Sequence, residues 1–300
     1  MLLIAARKPQ SIPPQKAEAD VEQIFHEIRQ ILRVSGIDPL FQRWASYPRF
    51  FSALWEAMTP NAQTRAFEEA ADRLRAEAVA AASGMDRLSA LAKAGLGESQ
   101  AYQVQRVLML YHYANPKLLL FVSTVAQALQ GQEPRRAEGA SAAELIERGV
   151  PPRMFPMEMI EERPSEDVPR KIFRDIKRSL GLSSIPCDYR SLGLWPGYLA
   201  AGWERLKPAI KSQAYRKAVG DLAELSSGLA RELPYPVVMP IDDLGEREDM
   251  GAVVELTEYF ETVLPALVLN IALFSLDWQA AEILKRSPFP ARPRHRPNGH

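Results

Sequence analysis

A pattern laid down early in the chain returns 148 residues later. Leu40, Phe41, Tyr47, Pro48, Trp55 and Pro60 are answered by Asp188, Tyr189, Trp195, Pro196, Trp203 and Pro208. Upstream, Ile24, Phe25, Ile28 and Leu32 return as Ile172, Phe173, Ile176 and Leu180, and downstream Phe67 and Leu74 return as Tyr215 and Leu222. Near the ends of the two copies Pro265 answers Pro116 at 149, a slippage of one residue. Solenoid arrays repeat every 20 to 50 residues or so, which bury a core only by stacking. One doubling at this length predicts a duplicated domain instead.

The repeated unit reads as helix throughout, which makes the expected fold all-α with two tandem helical repeats related by a pseudo-twofold axis. Val21, Ile24, Phe25, Ile28, Ile31 and Leu32 follow the i, i+3, i+4 spacing of an amphipathic helix, ended by Gly36 and Pro39. Tyr47-Pro48 starts another, with Phe51, Leu54, Trp55 and Met58 inward and Pro60 as its stop. Further helices are expected over Phe67 to Ala82, over Asp86 to Ala94 with Gly95 closing it, and over Glu98 to Tyr113. Asn115-Pro116 is expected to break the last of these before an almost wholly apolar helix from Lys117 to Leu129. The apolar run from Val263 to Leu276 is shorter than the roughly 20 residues of a membrane span and reads as a buried helix. The resulting division is a disordered tail over 1–16, repeat 1 over 17–132, a Pro/Gly/Arg/Glu-rich linker over 133–168, repeat 2 over 169–288 and a basic disordered tail over 289–300.

Composition removes several function classes. Lysine plus arginine (37) equals aspartate plus glutamate (37), so no net field draws nucleic acid or an anionic membrane surface. The short apolar N-terminus places its positive charge after the apolar run, opposite to a secretory leader. A single cysteine, Cys187, forms no intramolecular disulfide and no Cys-x-x-Cys pair, which fits a reducing compartment and makes the cytoplasm the expected location. The four histidines show no metal-ligand spacing, no phosphate-binding glycine motif occurs, and neither metal nor cofactor is expected. The acidic run Asp242, Asp243, Glu246, Glu248 and Asp249 lacks a calcium-loop register and reads as a solvated loop.

Function is expected where the two copies differ. Asp188 stands where the first copy has Leu40, and its neighbours Ile185, Pro186, Tyr189, Leu192, Leu194 and Trp195 predict low-polarity surroundings. Burial destabilises the charged form of a carboxylate and raises its pKa toward values useful to a general base. The competing reading makes Asp188 an N-cap of the helix that follows, since aspartate favours that position. Asn115 is the second exception, facing Val263 or Leu264 in the other copy. Its amide can hold a water, although asparagine before proline is also an ordinary turn former.

These stretches together resemble the group I, non-stereospecific 2-haloacid dehalogenases of the halocarboxylic acid dehalogenase family. The match runs from about Val21 to Pro290 and is carried by Leu32-Arg33-Val34, the helix from Tyr47-Pro48 to Trp55, Tyr113-Ala114-Asn115-Pro116-Lys117, Asp188 eight residues before Pro196, and Ser287-Pro288-Phe289-Pro290. The resemblance implies an all-α protein of two tandem copies, a homodimer, and a small carboxylic acid as substrate. It implies Asp188 as the base and Asn115 as the holder of a water that attacks C2 directly, inverting configuration with no covalent ester. Cys187, Tyr113, Gly36, Pro39 and Tyr189 then fall among the substrate-binding positions. Two departures stand out: the family's aromatic pocket walls become Gly36 and Pro39, and the residue before the base, usually a hydroxyl, is Cys187. The fold also resembles the alkylhydroperoxidase D and carboxymuconolactone decarboxylase group, whose peroxidase chemistry needs a cysteine pair that a single cysteine excludes. The leading expectation is a cofactor-independent hydrolase of a small 2-halocarboxylic acid. Its alternatives are a hydrolase of a different small acid and a non-catalytic small-molecule-binding protein of the same fold.

Overall fold

The computed structural model describes residues 11–131 and 143–294, so the expectations for 1–10, 132–142 and 295–300 lie outside the described residues. The described chain is helical, with two isolated β-bridges and no named strand among those residues. The helices are α1 (Ala19–Ile31), α2 (Pro39–Trp44), α3 (Pro48–Ala62), α4 (Arg65–Ser83), α5 (Ala90–Ala94) and α6 (Glu98–Leu129). After the linker come α7 (Asp167–Ser179), α8 (Cys187–Leu192), α9 (Pro196–Ala209), α10 (Gln213–Arg231), α11 (Ile241–Gly245), α12 (Met250–Ser275) and α13 (Ala281–Leu284).

The starts of α1, α2, α3 and α4 recur in α7, α8, α9 and α10 at the 148-residue offset, as do details below the level of whole helices. Thr64 Oγ1 accepts the Phe67 amide at the start of α4, and Ser212 Oγ accepts the Tyr215 amide at the start of α10. Trp55 Nε1 donates to Glu27 at 2.7 Å, and Trp203 Nε1 donates to Asp175 at 2.8 Å. Each indole thus ties the first helix of its half to the third. The long apolar helices α6 and α12 pack along each other at the centre, with α4 and α10 against both. Each half therefore lends its fourth helix to the other half's central helix, and one continuous core results.

Proline does less than the sequence suggests. Pro116 does not break the chain into two helices: α6 runs through it, as α12 runs through Pro265 and α3 runs two residues beyond Pro60. Proline leaves the carbonyl four residues earlier without its amide. For Pro116 that carbonyl belongs to His112, and the buried Arg75 supplies the missing donor, Nε to O at 2.9 Å, while Nη2 reaches the Tyr113 carbonyl at 3.4 Å. A charge-assisted bond of this kind is worth about 1.5–3 kcal/mol, enough to keep the helix intact.

Other expectations also change. The stretch between Gly36 and Tyr47 contains α2, begun by Asp38, whose Oδ1 accepts the Leu40 amide at 2.9 Å with Pro39 in the first turn. The acidic run is not merely solvated. It includes α11, Asp249 caps α12 through the Ala252 amide, and Glu248 accepts the Arg49 and Phe50 amides at the start of α3. The expected tails are docked where they are described. Ile12 N–H donates to Gln42 O, Phe289 is buried against Tyr113, and Pro293 pairs with Ile146. Apolar anchors at Ile12 and Phe289 hold segments whose charge and proline content suggested disorder.

Candidate active site

Helix α8 presents Asp188. Pro186 is its N-cap and offers no side-chain cap, so Asp188 is not the N-cap residue but sits inside the first turn. Its Oδ1 accepts the Tyr189 amide at 2.8 Å, one of the first-turn donors that have no helical carbonyl. That bond fixes one carboxylate oxygen. The other, Oδ2, faces α6, which packs on α8 and brings Asn115 Nδ2 to 3.4 Å. Asp188 and Asn115 are each 2% exposed, so the pair meets inside the protein.

Around them lies a polar lining that sequence reasoning missed. Tyr111 is four residues before Asn115 and shares its helix face. Its hydroxyl is 2.7 Å from Ser191 Oγ, and Ser191 donates to the Glu158 carbonyl at 2.5 Å. Asp38 comes from the other half: Cys187 Sγ–H donates to its Oδ2 at 3.0 Å. An Asp-Pro helix start was legible at Asp38, whereas its pairing with a thiol 149 positions away was not.

Electrostatics follow from this lining. Burial first, and then the charge of Asp38, raise the Asp188 pKa to about 7, against the lowering effect of the Tyr189 amide and Asn115. Asp38 is also raised, by burial, while its bonds to Cys187 and the Leu40 amide lower it. Burial and the two nearby carboxylates push the Cys187 thiol well above its ordinary value. Such a thiol stays protonated and is a poor nucleophile. Among the described residues, no lysine or arginine forms an ion pair with either carboxylate.

The remaining expected site residues divide. Gly36 and Pro39 flank Asp38. A Cβ at Gly36 would stand 2.5 Å from the Met157 Cβ, so the glycine admits a linker residue where a side-chain wall was expected. The Tyr113 and Tyr189 hydroxyls point elsewhere. Tyr113 faces away from Tyr111 and Asn115 on α6 and joins a buried charged cluster: it accepts from Lys117 at 2.6 Å and from Arg33 at 3.2 Å. Glu68 bonds both Lys117 and Tyr113 there, and Arg33 adopts left-handed backbone (φ 58°) where the other half has Gly181 (φ 65°). The Tyr189 hydroxyl accepts from Asn270, which in turn accepts from Tyr215. Tyr113 lies two positions from Asn115 and so turns to the far face of α6, and Tyr189, the residue after Asp188, turns its hydroxyl to Asn270 on α12.

A cavity of about 350 Å³ lies on the same face of α6, lined by Gln103, Val107, Phe155, Pro156, Glu158, Leu194 and Trp195. Val107 is one turn before Tyr111, and Glu158 is the residue whose carbonyl holds Ser191. A better enclosed cavity near His112, Ser275 and Trp278 shares no residue with the Asp188 cluster. The buried carboxylate and its polar partners make the Asp188 cluster the candidate site, since small-molecule sites carry a few converging polar groups.

Comparison with known proteins bears on this geometry. The family model Halocarboxylic acid dehydrogenase DehI matches residues 37–189, a span that begins beside Asp38 and ends just past Asp188. An (R)-2-haloacid dehalogenase of Pseudomonas putida is 26% identical over 276 residues, covering 88% of this chain and 90% of the relative. A configuration-inverting 2-haloacid dehalogenase of Alcaligenes xylosoxydans xylosoxydans is 24% identical over 291 residues, covering 92% and 97%. Among solved structures, a D-2-haloacid dehalogenase in complex with L-LA superposes with a TM-score of 0.81 at 25% identity, over 89% of this chain and 95% of the other.

Proposed function

Because the chain belongs to the halocarboxylic acid dehydrogenase DehI family, we propose that it is a cofactor-independent hydrolase that removes halide from C2 of a small 2-halocarboxylic acid. The observation that carries this reading is the buried pair of Asp188 and Asn115, one polar group from each half, in a pocket that raises the carboxyl pKa to about 7. Asn115 holds a water against Asp188 Oδ2 while Oδ1 stays on the Tyr189 amide. The water oxygen bonds to C2 from the side opposite the halogen, its proton passes to Oδ2, and halide leaves with the C–X electron pair. Configuration inverts and no ester forms. A base with a pKa near ambient pH combines ready deprotonation with useful proton affinity. Low surrounding polarity limits competing solvation of the carboxylate.

Halide release from a panel of 2-chloro and 2-bromo acids tests the activity. A single turnover in ¹⁸O-water tests the route: the label belongs in the hydroxy acid, and label in the Asp188 carboxylate refutes direct attack. The non-stereospecific group resembled by the sequence implies turnover of both enantiomers, whereas a preference for the (R) acid, named in a relative, would place the chain elsewhere in the family. A second reading, binding without turnover, is favoured by the replacement of aromatic walls at Gly36 and Pro39, with Met157 packed into the space over Gly36. Ligand-dependent stabilisation with no halide release would support it. The same proposal includes two copies of one unit related by a pseudo-twofold axis, a cytoplasmic location and a homodimer. Superposition of 19–129 on 167–275 and the mass in solution check the first and last.

A further inference from the structure

We infer that the enclosed cavity between α6 and the corner from α12 to α13 is a second small-molecule site, one that takes an uncharged aromatic alcohol of the phenol or naphthol kind. It shares no lining residue with the Asp188 cluster, and its test does not depend on dehalogenation.

The cavity holds about 270 Å³, at the small end for ligand pockets and suited to a molecule of one or two rings. Its walls come from Leu108, Met109 and His112 of α6, Ser275 at the end of α12, Trp278 in the turn that follows and Leu284 of α13. The Trp278 indole N–H is already given to the Tyr198 hydroxyl at 2.8 Å, so this residue offers the cavity apolar surface. A thioether beside an indole favours an aromatic occupant over an aliphatic one.

Two polar residues interrupt this apolar wall, and both are neutral. Ser275 is 4% exposed, and its Oγ is buried with no hydrogen-bond partner among the described residues. Protein interiors seldom leave a hydroxyl unpaired, because its lost hydration is not repaid. At the 149-residue offset that relates Pro116 to Pro265, Ser275 answers the buried Ala126, so the helix position itself calls for no hydroxyl. His112 Nε2 lies 2.8 Å from the Leu284 carbonyl, which can only accept. Burial, and then the charge of Arg75, lower the His112 pKa to about 3 against the raising effect of that bond. The ring is therefore neutral: Nε2 carries the proton, and Nδ1 is an acceptor on a residue that lines the cavity.

A donor and an acceptor of this kind together read a hydroxyl. The ligand oxygen accepts from Ser275 and its own proton is donated to His112 Nδ1. An ammonium group would bring a charge to a neutral wall. A carboxylate is served less well than an alcohol: Arg286 borders the cavity but is exposed, and Arg75 behind His112 is held by the His112 carbonyl and Asp72.

The test measures dissociation constants of 2-naphthol, naphthalene and 2-naphthoate by equilibrium dialysis against the full-length protein and the variants Ser275→Ala, Ile283→Trp and Asp188→Asn. Thermal melts check that each is folded. The wild type is expected to bind 2-naphthol on the order of 100 μM or tighter, and more tightly than the other two compounds. Ser275→Ala should weaken 2-naphthol about 3- to 10-fold, the loss of one neutral hydrogen bond, and leave naphthalene unchanged. Ile283 lines the cavity and is 58% exposed, so Ile283→Trp can fill the mouth from the surface and should abolish binding of both. Asp188→Asn should bind as the wild type does. Failure of the wild type to bind 2-naphthol, a preference for 2-naphthoate, or an unchanged ratio of 2-naphthol to naphthalene in folded Ser275→Ala overturns the inference. So does loss of binding in Asp188→Asn, which would move the ligand to the other site.

Discussion

The two oxygens of Asp188 are held unequally: Oδ1 takes the Tyr189 amide at 2.8 Å, and Oδ2 faces Asn115 Nδ2 at 3.4 Å across the packing of α8 on α6. The tightly held oxygen orients the carboxylate, and the loosely held one can exchange the amide for a water. Asp188→Asn is therefore expected to lose turnover by at least about 10³-fold while still binding substrate, since it removes the proton acceptor. Asn115→Ala should slow turnover about 10- to 100-fold by releasing the water from its position. Steady-state kinetics with a binding measurement on each variant decide it, and a fully active Asp188→Asn sinks the assignment.

Asp188 also predicts two pH dependences of opposite benefit. The proposed mechanism requires the carboxylate, so kcat/KM should rise with pH and level off above a midpoint near the folded pKa of about 7. Stability runs the other way. A carboxyl whose folded pKa lies above its ordinary value of 3.8 contributes stability that is complete below that value and is lost as pH climbs through about 7. Asp188→Asn should remove this loss, making the variant more stable than wild type at pH 8 by on the order of 1–3 kcal/mol. Urea melts of both proteins at pH 5 and pH 8 measure the difference, and an equal pH response in the two would contradict it.

Arg75 is expected to be essential to the stability of α6. Arg75→Leu leaves the His112 carbonyl buried without a donor and should cost about 2–4 kcal/mol. Pro116→Ala restores an amide to that carbonyl, so in the Arg75→Leu background it should recover part of the loss. A double-mutant cycle by chemical denaturation reports the coupling. Additive effects would show that the two residues do not serve the same carbonyl.

Gly36 admits the linker through its lack of a side chain. Gly36→Ala should destabilise by about 1–3 kcal/mol, because the new Cβ would stand 2.5 Å from the Met157 Cβ and neither belongs to a flexible end. Met157→Gly should relieve most of that penalty, whereas Met157→Ala, which keeps the Cβ, should not. Thermal melts of the three variants and the two doubles check this, and equal rescue by both replacements would argue against a clash at the Cβ.

What the sequence determined by itself is the part of the molecule governed by local periodicity. Apolar spacing gives α1, α3, α4 and the buried part of α12, and the offset of 148 separates the starts of α1 and α7, of α3 and α9 and of α4 and α10, because periodicity is a property of a chain segment and its own neighbours. The contrast between unlike residues at matching positions also singled out Asp188 and Asn115, which the fold brings together. The tertiary structure alone decided how isolated exceptions are met. Pro116 stays in a helix because Arg75, 41 positions away, supplies a donor. The tyrosines at 111 and 113 exchange roles because the packing of α6, and not its sequence, sets which face meets α8. Asp38 becomes a neighbour of Cys187 and Asp188 only when α2 is laid beside the start of α8, and Gly36 receives Met157 only when the linker crosses back over the first half. Helix formation is decided over a few residues, whereas the partner of a buried polar group is decided by where whole helices cross, and the chemistry of this site is built from such partners.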